Sequence, residues 1–373
     1  MEKAKISVIQ LFSMMFIFEM GTALVISYGI TSRKDAWIAS LLSMGGGIVL
    51  FFIYYLLFRQ YPKLPLTSLL RKIFGKYLGW MIGFIYILYF LYIASRNLRE
   101  LGDLLVSSTL QETPLIAIII PLVLAICYVI YMGAEVLART SEVFIVILFL
   151  FGIVGNFLVL VSGNVQFHNL QPILEHGWKP IFTTAFPETI AFPFGEMIVF
   201  TMLLPMLNKP KYAKRVWLSA LLSSGIILSW TVSLNIAVLG VEVTERATFP
   251  TLSTVSKINL LDFIQRLDAI IVFTLLITVF FKASIYLYAA VIGITDLFKL
   301  ESHHRIVPPV GIIVSYLSIN IASNFSEQIE EGTKLAYYLH IPMMMVIPLL
   351  LLIIFFTKKR FKKKQTKTNS PTN

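Results

Sequence analysis

Residues 184–200 read Thr-Ala-Phe-Pro-Glu-Thr-Ile-Ala-Phe-Pro-Phe-Gly-Glu-Met-Ile-Val-Phe. They lie inside an apolar stretch, 181–205, of the length that crosses a bilayer, about 20 residues for roughly 30 Å of hydrocarbon. Pro187 and Pro193 each remove a helical hydrogen bond and clash with the preceding turn. Gly195-Glu196 follows at once, so a continuous helix through Ala191-Phe192-Pro193-Phe194-Gly195 is not expected. Lipid offers no partners for freed backbone groups, so such a break is tolerated only where it is buried in protein or lines a cavity.

The rest of the chain has the same character. Of 373 residues, 57% are hydrophobic and 14% charged, with mean hydropathy +0.81, which excludes a soluble globule. The apolar runs are continuous rather than alternating, so they indicate helices, not strands. Ten spans are expected, near 8–30, 36–58, 78–98, 113–132, 142–162, 181–205, 215–240, 266–292, 307–323 and 335–357. The fold class is therefore all-α and polytopic. The N-terminal run, followed by Thr-Ser-Arg-Lys-Asp, is expected to be a retained span rather than a cleaved signal.

The net charge of +11 raises nucleic acid as a partner, but the basic residues sit between spans and reflect topology instead. With both termini in the cytoplasm, 21 Lys and Arg fall in loops and tails on the inner side and eight on the outer, Arg96 and Arg99 among the eight. Arg266 and Lys282 belong to the eighth span. The stretch 59–79 is basic and amphipathic, with the character of an interfacial helix. The segment 241–265, rich in Thr, Ser and charge, suits an ordered cap over a cavity. Residues 1–357 form one transmembrane domain, and 358–373 a disordered basic cytoplasmic tail suited to anionic lipid.

Soluble-type catalysis is not expected. The single Cys127 forms no thiolate cluster, the five histidines lack the i, i+4 spacing of a zinc site, and no Gly-rich phosphate loop or Gly-x-Ser-x-Gly occurs. No cofactor or metal is implied.

Charged groups within spans are few, and each costs at least about 2.5–3.5 kcal/mol at mid-membrane, so they tend to mark function. Glu19 lies in the first span, Glu188 and Glu196 in the sixth and Lys282 in the eighth. Lys282 is about ten residues from the end of its span, roughly 15 Å at helical rise, farther than a snorkelling side chain reaches. It is expected to act as an internal cation or to pair with Glu196 or Glu19. The first span is interrupted at Met20-Gly21-Thr22-Ala23. First and sixth spans correspond if the chain comprises two inverted five-span units, about 8–162 and 181–357. Paired breaks of this kind expose half-helix ends at the membrane midplane. The expected binding residues are Gly21, Thr22 and Ala23 with Phe192, Phe194, Gly195 and Glu196.

An ordered set of residues carries a family resemblance: Lys5-Ile6-Ser7-x-x-Gln10-Leu11-Phe12, Gly21, Asp35-Ala36-Trp37-Ile38, Tyr61-Pro62 and Phe194-Gly195-Glu196. Over about residues 4–357 the chain resembles bacterial spore germination proteins, specifically the permease-like B subunit of nutrient germinant receptors, in the amino acid, polyamine and organocation superfamily. The resemblance implies a LeuT-like inverted-repeat fold with a germinant pocket between broken helices one and six. It also implies an A subunit and a lipoprotein C subunit as partners in the spore inner membrane. Two functions fit these features, a receptor for a small polar nutrient such as an amino acid and an amino acid or polyamine symporter. A scaffold without a ligand leaves the buried charges unexplained.

Overall fold

A computed structural model describes residues 4–26, 29–258 and 268–368. Arg266, the last part of the expected cap (259–265) and the end of the tail (369–373) lie outside the described residues. The helices are α1 (Val8–Met20), α2 (Ala36–Gln60), α3 (Leu66–Phe74), α4 (Lys76–Ser108), α5 (Leu115–Met132), α6 (Ala134–Val161) and α7 (Trp178–Thr184). They continue with α8 (Ala213–Leu239), α9 (Val241–Arg246), α10 (Pro250–Ser256), α11 (Asp268–Phe298), α12 (Val307–Asn320), α13 (Phe325–Leu335) and α14 (Ile347–Thr368).

The chain is a polytopic membrane protein. Among the described residues, seven helical stretches are long and apolar enough to cross a bilayer, and α1 and α12 are shorter apolar helices. The brevity of α1 follows from its interruption: 13 residues span about 20 Å, short of the hydrocarbon thickness. The 181–205 stretch is interrupted too, and its second half is a tighter 3-10 helix, Phe194–Met202.

Loop contacts sort the connections onto two faces. On one, the Lys5 N–H donates to Glu135, Ile6 pairs with Met206 and Asn208, Arg71 bonds Asp296, and Lys358 donates to the Ile73 carbonyl at 2.7 Å. On the other, Lys34 meets Glu175 at 2.7 Å, the Leu174 N–H donates to Asp35 and Gln166 pairs with Ala237. The Lys34 hydrogen bond holds the Glu175 carboxyl below its ordinary range. The amphipathic α3 lies on the first face; α9 and α10 form part of the cap on the second.

One expectation is corrected. Helix α4 does not end near residue 98 but runs to Ser108, burying Arg96, Asn97, Arg99 and Glu100. Arg96 and Arg99 therefore do not lie in a loop. The helix tolerates them because partners are at hand: Arg99 bonds Asp103 at 2.9 Å and the Ile319 carbonyl at 2.8 Å. Helix α14 continues through Lys358 to Thr368. Lys, Arg and Gln are good helix formers, and extending an existing helix avoids the cost of a new nucleus.

Within lipid, helices associate through close packing and hydrogen bonds rather than the hydrophobic effect. The glycines of α2 show this directly: a Cβ at Gly47 would lie 2.6 Å from the Phe194 Cβ, so glycine is what lets α2 approach the broken sixth segment. Of the seven long apolar stretches the most buried is α11, whose middle residues, Lys282 to Val291, are all enclosed.

Candidate functional site

The site begins with two backbone interruptions. Helix α1 starts in a capping box formed by Ser7 and Gln10 and stops at Met20. Gly21 then adopts φ +36°, a region that side chains with a Cβ avoid, and Thr22–Leu24 form a single 3-10 turn. Carbonyls released by the break find hydroxyl donors: Thr278 bonds the Gly21 carbonyl at 3.1 Å and Thr251 that of Leu24 at 2.7 Å. At the second break, the Tyr54 hydroxyl reaches the Gly195 carbonyl at 3.3 Å and that of Met344 at 2.5 Å. Each donor fulfils a requirement of backbone that leaves helical geometry where there is no water.

Between the breaks stands Lys282. Its ammonium forms an ion pair with Glu196 Oε2, and both side chains are buried, at 0% and 3% exposure. The same ammonium lies 4.5 Å from the centre of the Phe192 ring and 5.2 Å from that of Phe18, so aromatic faces complete its surroundings. Glu19, fully buried, is the third ionisable side chain of this cluster, close enough to couple to both Lys282 and Glu196. Neither Glu19 oxygen has a hydrogen-bond partner among the described residues. Gly21 gives Lys282 its room: a Cβ there would lie 2.7 Å from Lys282 Cδ and 3.0 Å from Nζ.

Not every expected residue faces this cluster. Thr22 and Ala23 are buried in the turn after Gly21. Phe194 packs its Cβ against α2, and a Cβ at Gly195 would point at Met344 Sδ, 2.7 Å away. The 3-10 geometry of Phe194–Met202 gives three residues per turn; Phe194 and Gly195 serve packing while Glu196 turns toward Lys282.

A cavity of about 120 Å³ adjoins Glu196 and Phe192, with Arg96, Asn97, Glu100 and His340 in its walls. These four are absent from the residues expected from sequence. The available signal is the i, i+4 spacing of Arg96 and Glu100, which puts them on one helical face. Arg96 donates to the Gln328 carbonyl at 2.7 Å, Gln328 donates back to the Arg96 carbonyl at 3.0 Å, and His340 bonds the Tyr89 hydroxyl at 2.7 Å. Ile26, Glu188, Phe192 and Ile329 line both this cavity and a vestibule of about 350 Å³ that also includes Glu245 and Arg246 on the cap face. The two cavities thus share wall residues, one reaching Glu245 and Arg246 on the cap face and the other Glu196 of the buried ion pair.

Comparison with known proteins matches residues 5–326 to a family described as spore germination protein. The chain belongs to the spore germination protein family. It is 40% identical to spore germination protein KB of Bacillus subtilis (strain 168) over 92% of this chain and 93% of that protein. It is also 28% identical to spore germination protein A2 of the same organism, over 77% and 78% of the two chains. Spore germination protein XB of Bacillus anthracis is 24% identical over 78% and 81%. The family match includes both breaks, Glu196 and Lys282, so the buried pair of this germination protein lies within the matched region.

Proposed function

We propose that this chain is the membrane subunit of a spore nutrient receptor, one that binds a small polar nutrient such as an amino acid and triggers germination. The observation that carries it is the buried Lys282–Glu196 pair where two broken helices meet, beside a cavity that shares wall residues with a second one at the cap face. A cavity of about 120 Å³ holds several water-sized groups at roughly 10–15 Å³ each, which suits a small solute. Of the binding residues proposed, Phe192 and Glu196 line this cavity; Lys282, paired with Glu196, Glu19, and Gly21, Thr22 and Ala23 of the first break support them from behind, as do Phe194 and Gly195.

The reading includes ten spans in a LeuT-like pair of inverted five-helix units. It is supported by breaks in the first and sixth segments and by the pairing of Ile6 with Met206 and Asn208, which sets the start of one broken segment beside the end of the other. Both termini are proposed to face the cytoplasm, with the protein in the spore inner membrane beside an A subunit and a lipoprotein C subunit. An amino acid or polyamine permease is the second reading, favoured by the likeness of paired helix breaks to transporter sites.

Spores lacking this chain, exposed to single nutrients, separate the two. Loss of response to one nutrient set, with uptake by growing cells unchanged, is the result expected of a receptor. Normal germination together with altered uptake would establish the permease instead.

A further inference from the structure

Another cavity, of about 340 Å³, shares no wall residue with the one at Glu196 and is walled by α1, α6, α8, α10 and α11. Its chemistry is different. Among the described residues, no Asp, Glu, Lys, Arg or His lines it. The amide and hydroxyl groups in its deep wall are already engaged: Asn235 donates to Thr251 at 2.9 Å, Thr254 to Asn235 at 2.9 Å, and Thr278 to the Gly21 carbonyl. A polar ligand would find little there to bond. An apolar body would meet hydrocarbon on nearly every side.

The mouth is equally specific. Phe149, Gly152, Ile153 and Trp230 form its rim and are exposed on the outside of the bundle, Ile153 at 67%. Most of α6 is apolar and at least partly exposed, the character of a helix lying against lipid. The small residues at the rim do not serve close helix packing, since a Cβ at Gly152 or Gly155 would meet nothing within 4 Å. They leave an opening. The one polar pair at the rim, Trp230 and Asn156, is satisfied internally at 2.7 Å. An apolar cavity of about 150 Å³ already accepts a benzene-sized molecule, and this one has more than twice that volume.

We propose that one acyl chain of a membrane phospholipid enters between α6 and α8 and occupies this cavity, resting against Met20, Leu24 and Thr278. The occupant therefore touches the residues whose carbonyls and hydroxyls hold the break of the first helix. Bilayer hydrocarbon is the source because the opening faces it and the lining is uncharged.

The full chain in nanodiscs of phosphatidylglycerol, a fraction of it bearing a diazirine midway along one acyl chain, tests this directly. After irradiation, adducts are located by mass spectrometry. Adducts on the buried Met20, Asn235 or Thr278, besides those on the exposed Ile153, are expected. Gly155→Phe, or Thr274→Leu should the first variant fail to accumulate, should reduce the deep adducts at least about tenfold, a change of some 1.4 kcal/mol or more in occupancy, and leave Ile153 labelled. Adducts confined to the rim in the unaltered protein would overturn the proposal. So would deep adducts that persist undiminished in both filled variants, or deep labelling by a free apolar diazirine but not by the lipid.

Discussion

Lys282 and Glu196 define the chemistry at the residue scale. Two opposite charges in contact can be kept at depth when each supplies what the other lost with water, whereas removing one partner strands the other, typically at about 3–5 kcal/mol. Lys282→Met is therefore expected to abolish the nutrient response. Lys282→Arg should retain part of it, since the charge remains while the flat guanidinium fits poorly between the Phe18 and Phe192 rings. Germination dose-response curves at matched protein level check this, and full activity of Lys282→Met would remove the pair from the mechanism. Gly21→Ala should act through the same lysine. The new methyl would stand 2.7 Å from Lys282 Cδ and hold an alanine at positive φ with ψ −139°, a sparsely populated conformation that costs about 1–3 kcal/mol. The expected outcome is a curve shifted to higher nutrient concentration, with Lys282 displaced rather than lost; an unshifted curve at normal abundance would mean that the lysine is free to move.

Helices α3 and α11 meet at the level of elements through one carboxylate. Asp296 accepts from Thr67 at 2.5 Å, from Ser68 at 2.8 Å and from Arg71 at 2.7 Å, so a single side chain near the end of α11 fastens the amphipathic helix to the long one that carries Lys282. Bonds to a charged acceptor contribute roughly 1.5–3 kcal/mol each, net of the exchange with water. Asp296→Ala is expected to lower the unfolding temperature of the purified protein by several degrees, about 2–4 °C per kcal/mol for a chain no smaller than the surveyed domains, and to expose α3 to proteolysis. Thermal unfolding and limited digestion measure the two effects separately. An unchanged digestion pattern would show that packing of Leu66, Leu69 and Leu70 holds α3 without the carboxylate.

Across the whole molecule, loops gather on two faces, one carrying the basic end of α14 and the other α9 and α10. The proposed orientation, with the α14 face in the cytoplasm, rests on the count of Lys and Arg, and the burial of Arg96 and Arg99 takes two residues out of the opposing count. With Cys127 replaced, a cysteine at Thr366 should be protected from an impermeant reagent in intact vegetative cells expressing the protein. One at Ser256, exposed at the end of α10, should react. The reverse pattern would invert the orientation.

The membrane class, the interruptions at Gly21 and Pro193, and the depth of Lys282 were all legible in the sequence. Each depends on local matters: hydropathy over a window, a missing N–H, or distance along one helix. The partner of Lys282 was not. Glu19 and Glu196 were equivalent candidates in one dimension, and only the meeting of α11 with the 3-10 segment made Glu196 the ion-pair partner. Burial of Arg96 and Glu100 was hidden for a related reason: a charged run after an apolar one resembles the end of a span unless distant residues such as Gln328 satisfy it. Helical periodicity assigns residues to faces of their own helix, but which faces meet, and what space is left between them, is decided by side chains and backbone carbonyls brought together from distant parts of the chain.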